Sequence, residues 1–318
     1  MSDWLDPVRW ALDASHAPVS FFFRDDDAGW DDEALWRLLD LCQANEVHID
    51  VAVIPVELDA ERATALCDRA STGVVHLHQH GFRHVNHETN GRKYEFGPSR
   101  SHDQQLADIA QGRALIGGQL HPYVEPIFTP PWNRCTEQTA AALANLGFEV
   151  LSRDRSATPF GLAELAEVPV TVDWFAKTKG EPWTRDQVGT QIAQQIVDGS
   201  APLGVMLHHA ITNLEHLALI EPLTADAYRP INFGLYHVFV QARAERGRPF
   251  CTTLKSAEAW QSAMQPAAID SSRLFEPPEA MWRDHAVLLL ARFVEADPTQ
   301  NLRIQGIRRT DAALEVSY

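Results

Sequence analysis

The chain has 318 residues, with 43 acidic against 27 basic side chains, a net charge of −16 and a hydrophobic share of 45%. That composition is ordinary for a globular protein and excludes a disordered, collagenous or coiled-coil chain. An acidic chain whose lysines are Lys93, Lys177, Lys179 and Lys255, with no basic run, is also excluded as a binder of nucleic-acid backbones, and its net charge steers weakly toward neutral or cationic ligands.

The N-terminus, Met-Ser-Asp-Trp-Leu-Asp-Pro, has neither a positive n-region nor an apolar h-region, so no secretory signal is read and a cytoplasmic protein is expected. Val19–Arg24 reads as a strand that ends in three aspartates. A helix is predicted over Asp32–Asn45, where Leu35, Leu38, Leu39 and Cys42 keep helical spacing and Asp31 or Asp32 serves as N-cap. His48–Ile54 is a predicted strand, Asp59–Ala70 a helix and Gly73–Gln79 a strand. After an irregular stretch come a helix at Asp103–Ile116, a strand at Glu125–Phe128, and a helix at Glu137–Leu146 ended by Gly147 as its C′ glycine. Phe148–Leu151 and Val168–Val172 read as strands, Arg185–Asp198 as a helix and Leu203–Leu207 as an apolar strand. A helix near Phe233–Arg246, a strand at Cys251–Leu254 and a helix at Ser256–Met264 complete the series.

Short apolar strands alternating with helices predict a parallel sheet covered by helices, and about seven such units suit a (β/α) barrel. The tail differs, with one helix predicted over Pro278–Ala296 and two alternating stretches, Leu302–Ile307 and Ala312–Tyr318. The expected division is a barrel over residues 1–268 and a small α+β appendage over 269–318. The appendage's apolar residues point to packing or self-association as a homo-oligomer. No apolar run is long enough to span a bilayer, so no membrane partner is expected. The cysteines Cys42, Cys67, Cys135 and Cys251 are scattered and form neither a disulfide framework nor a structural zinc site.

In a parallel barrel, chemistry sits at the C-terminal ends of the strands. Phe23-Arg24-Asp25-Asp26-Asp27-Ala28 ends the first strand with three carboxylates, which repel one another unless a cation compensates. The third strand ends in a cluster holding five of the 14 histidines, and His80 and His84, four residues apart, can reach a common point. Imidazoles beside a carboxylate suit a borderline divalent metal with an open coordination position. Pro130 and Pro131 make a stiff strand exit that presents Trp132 and Arg134 at the mouth. Asp173-Trp174 and His208-His209 end two further strands. Taken singly, each has a plain structural reading: a solvated acidic loop, a satisfied histidine, a packed tryptophan.

Together, strand ends delivering Asp, His, Trp/Arg, Asp and His in that order resemble the polysaccharide deacetylases, the NodB-homology carbohydrate esterases. The likeness covers roughly residues 18 to 265. It rests on Phe23 to Ala28, Gln79 to His87, Glu95-Phe96-Gly97, Pro130 to Arg134 and His208-His209. The resemblance implies a distorted NodB-like (β/α) barrel binding one divalent metal, zinc by preference, through Asp27, His80 and His84. Asp26 would be the general base, with Asp25-Asp26 as the other register of the aspartate run. His208 would be the general acid, oriented by Asp173. Arg134 or Arg24 would tune Asp26, because the arginine that usually precedes the family's proline is missing here. Trp132, Trp174, Asn86, Glu95 and His209 would line the substrate site.

The implied reaction removes an N-acetyl or related acyl group from a sugar or sugar precursor. A metal would polarise the amide carbonyl and activate water. The partner would be a small carbohydrate or acylated amine. Two rivals stand beside it: a hydrolase of the same fold acting on a non-sugar C–N bond, and a catalytically silent sugar-binding protein.

Overall fold

The computed structural model describes residues 4–15, 19–178, 180–199, 202–211, 231–232, 248–254, 287–293, 306–309 and 314–317. Two compact units divide the chain, Met1–Tyr236 and His237–Tyr318. In the first, the elements in chain order are α1 (Asp6–Ala14), β1 (Ser20–Ala28), α2 (Asp32–Ala44), β2 (Ile49–Val53), α3 (Ala60–Ala70), β3 (Val75–His80), α4 (His102–Leu120) and β4 (Val124–Thr129). Next are α5 (Glu137–Asn145), β5 (Val150–Leu151), β6 (Ala166–Glu167), β7 (Val172–Asp173), the two-residue strands β8 (Lys177–Thr178) and β9 (Glu181–Pro182), α6 (Arg185–Val197), β10 (Leu203–His208) and β11 (Ile231–Asn232).

Eight strands form one parallel sheet in the order β6-β5-β4-β3-β2-β1-β10-β7, with β11 paired to the start of β1. The sheet is a curled half-barrel, the distorted (β/α) barrel expected from the sequence. Its two edges are drawn together by backbone bonds: the Val170 N–H donates to the Arg153 carbonyl, and the Thr171 N–H to the Gly204 carbonyl, each at 2.8 Å.

Period-2 alternation sorts the strand residues onto two faces. Phe21, Phe23, Val51, Val53 and Leu77 join Leu35, Leu38 and Leu39 of α2, Leu66 of α3 and Ile192 of α6 in the main core beneath the helices. A second cluster joins Phe128 and Leu151 to Ile109 of α4 and Leu143 of α5. Each such buried side chain contributes about 1.5–3 kcal/mol. The opposite face, the barrel interior, is polar and carries Arg24, Asp26, His76, His78 and His80, all buried.

Local signals explain most element ends. Asp31 caps α2 by accepting the Ala34 N–H, and Gly147 follows α5 at φ 72°, as a C′ glycine should. Three elements differ from expectation. The helix α1 was unforeseen; it starts on Pro7 in its first turn, and Gly189 of α6 gives room for the Trp4 carbonyl, 2.2 Å from where a Cβ would stand. The helix α4 continues to Leu120 through Gly117 and Gly118, since its Ser101/Gln104 capping box and packed face outweigh two glycines. Val168–Val172 is not one strand: β6 ends at Glu167 and β7 begins at Val172, although the Val168 and Val170 N–H groups on either side of Pro169 still donate to the Leu151 and Arg153 carbonyls.

In the second unit, β12 (Arg248–Leu254) pairs antiparallel with β13 (Val287–Phe293), and β14 (Gly306–Arg309) with β15 (Leu314–Ser317). The pair β14–β15 falls on the two alternating stretches of the tail. The helix expected over Pro278–Ala296 is a strand at Val287–Phe293, because an unbroken apolar run carries no period to separate helix from strand. Cys251–Leu254, expected as a barrel unit, belongs to β12 and pairs with β13. The helices expected near Phe233–Arg246 and Ser256–Met264 lie outside the described residues. Among the described residues no helix is long and apolar enough to cross a membrane.

Candidate metal centre

The aspartate run ends β1, and strict alternation would send Asp25 and Asp27 to one face and Asp26 to the other. The structure breaks that rule once. Between Asp25 and Ala28 the β1–β2 register shifts, and Asp27 takes φ 72°. Such a bulge re-aims a side chain. Asp26 therefore faces the interior with Arg24, Asp25 turns beneath the helices, and Asp27 swings back over the mouth.

At the mouth, Asp27 Oδ1 stands 3.1 Å from His80 Nε2 and 3.1 Å from His84 Nε2. One donor atom from each residue lies within 4.8 Å of the other two, a grouping fit to hold a metal ion. The chemistry of the set fits a divalent cation: two imidazoles and one carboxylate leave coordination positions open. His80 donates from Nδ1 to the Thr129 carbonyl at 3.0 Å, an orientation that would present its Nε2 to a bound metal. Burial pushes the Asp27 carboxyl up, yet hydrogen bonds from His80 and His84 outweigh it and hold the group far below the usual range.

The turn from His80 to His84 is built by a buried carboxylate. Glu95, fully buried, accepts the Phe82 N–H at 3.1 Å and the Arg83 N–H at 2.6 Å. Gly81, at φ 56°, is required there: a Cβ would meet Glu95 Oε2 at 2.2 Å and Pro131 Cδ at 2.6 Å. His84 itself sits at φ 56°. Its ring lies between two tryptophans, with centroids 4.7 Å from Trp30 and 4.6 Å from Trp132.

Asp26 is held by Arg24. The guanidinium donates from Nε to Oδ1 at 2.8 Å and from Nη2 to Oδ2 at 2.9 Å, then reaches Ser152 Oγ at 2.8 Å and Asn133 Oδ1 at 2.6 Å. Burial raises the Asp26 pKa, but the charges of Arg24, His80 and His208 prevail and lower it. Arg24 is thus the cation that pairs with Asp26. Arg134, the other candidate, is half-buried and donates to the Lys93 carbonyl at 3.5 Å.

The end of β10 obeys alternation. His208 faces the mouth, its Nε2 4.0 Å from Asp27 Oδ2 and its ring 6.4 Å from Phe175. His209 turns the other way and is fully buried. Its backbone N–H and Nδ1 go to Asp25 at 2.8 and 2.7 Å, and Nε2 to the Trp30 carbonyl at 2.5 Å. Burial works against charge on this ring, yet Asp25 wins and its pKa is pushed up to about 9. Burial raises the Asp173 carboxyl, partly offset by the Phe175 N–H and the charge of His208.

Four residues expected to touch substrate do other work. His209 is spent on Asp25 and Trp30. Trp174 packs edge-on to Trp4 at 6.0 Å in the core, leaving Phe175 beside His208. Asn86 closes a turn, accepting the Glu88 and Tyr94 N–H groups. Glu95 is sealed beneath the histidine turn. Trp132 alone of the five stands at the mouth. Sequence reasoning did not single out Trp30, Ser152 or Asn133; the closeness of Trp30 to the aspartate run was its one available signal.

No protein-family model and no curated protein matches the chain. Among solved structures, a Mycobacterium smegmatis protein assigned as a polysaccharide deacetylase superposes with a TM-score of 0.51 at 14% identity, over 72% of this chain and 92% of that one. A family 4 acetyl xylan esterase from Clostridium thermocellum in complex with a cobalt ion gives 0.46 at 18% identity, over 70% and 90%. A CE4 family pseudoenzyme from Bacillus anthracis gives 0.47 at 14%, over 70% and 66%. With its curled parallel sheet and strand ends gathered at one mouth, the chain has the fold of the polysaccharide deacetylases.

Proposed function

We propose that the protein is a metal-dependent deacetylase that hydrolyses an N-acetyl or related acyl group on a sugar or sugar precursor. The observation that carries this reading is the convergence of Asp27, His80 and His84 on one point, with Arg24-held Asp26 and His208 on the adjoining strand ends. A divalent cation held by the three ligands, zinc by preference, supplies Lewis acidity to the acyl carbonyl and to water.

The chain's own residues do the rest. Asp26, kept ionised by Arg24, accepts the proton of the attacking water at a carboxylate lone pair that Arg24 leaves open. His208 gives a proton to the departing nitrogen. Asp173, whose carboxylate is fixed by the Phe175 N–H at 2.9 Å, orients His208. Trp30 and Trp132 keep water off His84 and offer flat faces to a sugar ring. Products are an amine and a small carboxylic acid.

The test combines metal analysis with acetate release from N-acetylated sugars and from simple amides. Wild-type protein should bind about one equivalent of metal. Asp26→Asn should keep it and lose turnover by a factor on the order of 10²–10⁴. Full occupancy in the His80→Ala, His84→Ala double variant overturns the ligand set. Turnover of simple amides alone would move the substrate class away from sugars, and metal binding without any turnover would leave a silent binding protein.

A further inference from the structure

Many arginines of this fold sit against anions, though Arg113, over Phe148, and Arg155, on Gln195, do not. Arg24, Arg62, Arg69, Arg100 and Arg153 each lie within reach of a carboxylate. Arg83, Arg92, Lys93 and Arg134 form no such pair among the described residues, and all four lie in the two loops that frame the metal centre.

Their placement is specific. Arg83 lies between His80 and His84, exposed, with its guanidinium 4.6 Å over the Phe82 ring. The Lys93 ammonium, also exposed, lies 5.7 Å from the centroid of Trp132, and Trp132 packs 4.6 Å from the ring of His84. Arg134 donates to the Lys93 carbonyl at 3.5 Å, which ties the two loops together. The acids of the same loop are engaged with backbone: Glu95 with the Phe82 and Arg83 N–H groups, and Glu88 with that of Ser99. In a chain of net charge −16, cations left unpaired beside one mouth run against the global field. Like charges held together repel, and a bound anion relieves that cost while drawing its carrier in. Guanidinium and ammonium groups together suit a phosphate, which offers two negative charges and several acceptor oxygens.

We propose that the substrate carries a phosphate ester near its acylated amine, and that Lys93, Arg134 and Arg83 bind it. This inference rests on the deacetylase reading for the reaction, but the anion site itself does not. Where the net charge of the chain favours neutral or cationic ligands, the rim selects a phosphorylated amino sugar.

The test is calorimetric binding to the metal-free full chain at low salt. The probes are N-acetylglucosamine, its 1-phosphate and its uridine-diphosphate form. Either phosphorylated sugar should bind about tenfold or more tightly than the neutral one. Preference for the 1-phosphate marks a monoester, and preference for the nucleotide form a diphosphate ester. The double variant Lys93→Gln, Arg134→Gln should erase the preference while keeping its near-ultraviolet circular dichroism. Arg113→Gln, at an exposed arginine over Phe148, should keep it. Equal affinity for neutral and phosphorylated sugars overturns the proposal, as does a preference that survives in the folded double variant. A phosphate preference without metal-dependent acetate release would reject the deacetylase reading and leave the anion site standing.

Discussion

Arg24 donates to both oxygens of Asp26, to Ser152 and to Asn133, and none of its surface reaches water. Deleting one partner of such a buried pair strands the other charge and costs on the order of 3–5 kcal/mol. Arg24→Leu should lower stability toward denaturant by about that much. Lysine is no substitute, because one ammonium cannot span the fork. In Arg24→Lys the Asp26 pKa should climb toward the ordinary carboxylate range, moving the acidic limb of the turnover–pH profile upward. Arg134→Ala should leave that limb in place; a limb that moves in Arg134→Ala instead would return the tuning role to Arg134. His208 and His209 separate in the same way. His208→Gln should depress turnover of an amide more than that of an activated ester, whose leaving group needs little protonation. Equal losses on both substrates would remove His208 from the acid role. The sequence could name both histidines but assign only one, because alternation on β10 permits a single residue at the mouth. Trp174 was misjudged for a related reason: a two-residue strand gives alternation too short a run to fix which of Trp174 and Phe175 faces outward.

At the level of elements, the histidine turn and the β1 bulge decide the geometry. Four residues of the site, Asp27, His84, Trp132 and Asn133, hold positive φ, a conformation that costs roughly 1–3 kcal/mol each for residues with a Cβ. Something must hold them there, and for His84 it is Glu95. Glu95→Gln keeps one acceptor oxygen for two N–H groups. It should weaken metal binding by about 10–100-fold without touching a ligand atom, the usual weight of a group that orients a ligand. Competition with a chelator reads this directly, and unchanged affinity in a folded variant would reduce Glu95 to packing. These features explain what the sequence concealed. The spacing of His80 and His84 and the aspartates was plain, so the ligand group was legible. The bulge was not, since nothing in three consecutive aspartates marks which one breaks alternation. Nor was the burial of Glu95, because a glutamate in an irregular loop reads as surface until its two backbone partners are known.

Across the whole molecule, two buried histidines of opposite tendency set the pH range of stability. Burial disfavours the charge on His209, but Asp25 overrides it, and the pKa stands near 9. That stabilisation is complete below the unfolded value of about 6.5 and is lost as pH rises through about 9, on the order of 3 kcal/mol in all. His78 runs the other way: burial, then the Arg24 charge, press its pKa down to about 3, so the fold keeps it neutral and loses stability as pH falls below about 6.5. Denaturant melts in chelator should show a fall from pH 6.5 to 9 that shrinks in the Asp25→Asn, His209→Gln double variant. An equal fall in both proteins would refute the ion pair's role. The barrel itself was legible because short apolar strands alternate with amphipathic helices throughout the first unit; the second was read less well, its run at Val287–Phe293 offering no period to follow. The cation that lowers the Asp26 pKa sits two residues upstream on the same strand. Carboxylate and counter-charge are thus written as a single short word of sequence. A mouth loop that makes no bond to Arg24 can then be exchanged, by recombination or by design, with the pair left intact; the loop that carries Asn133 cannot.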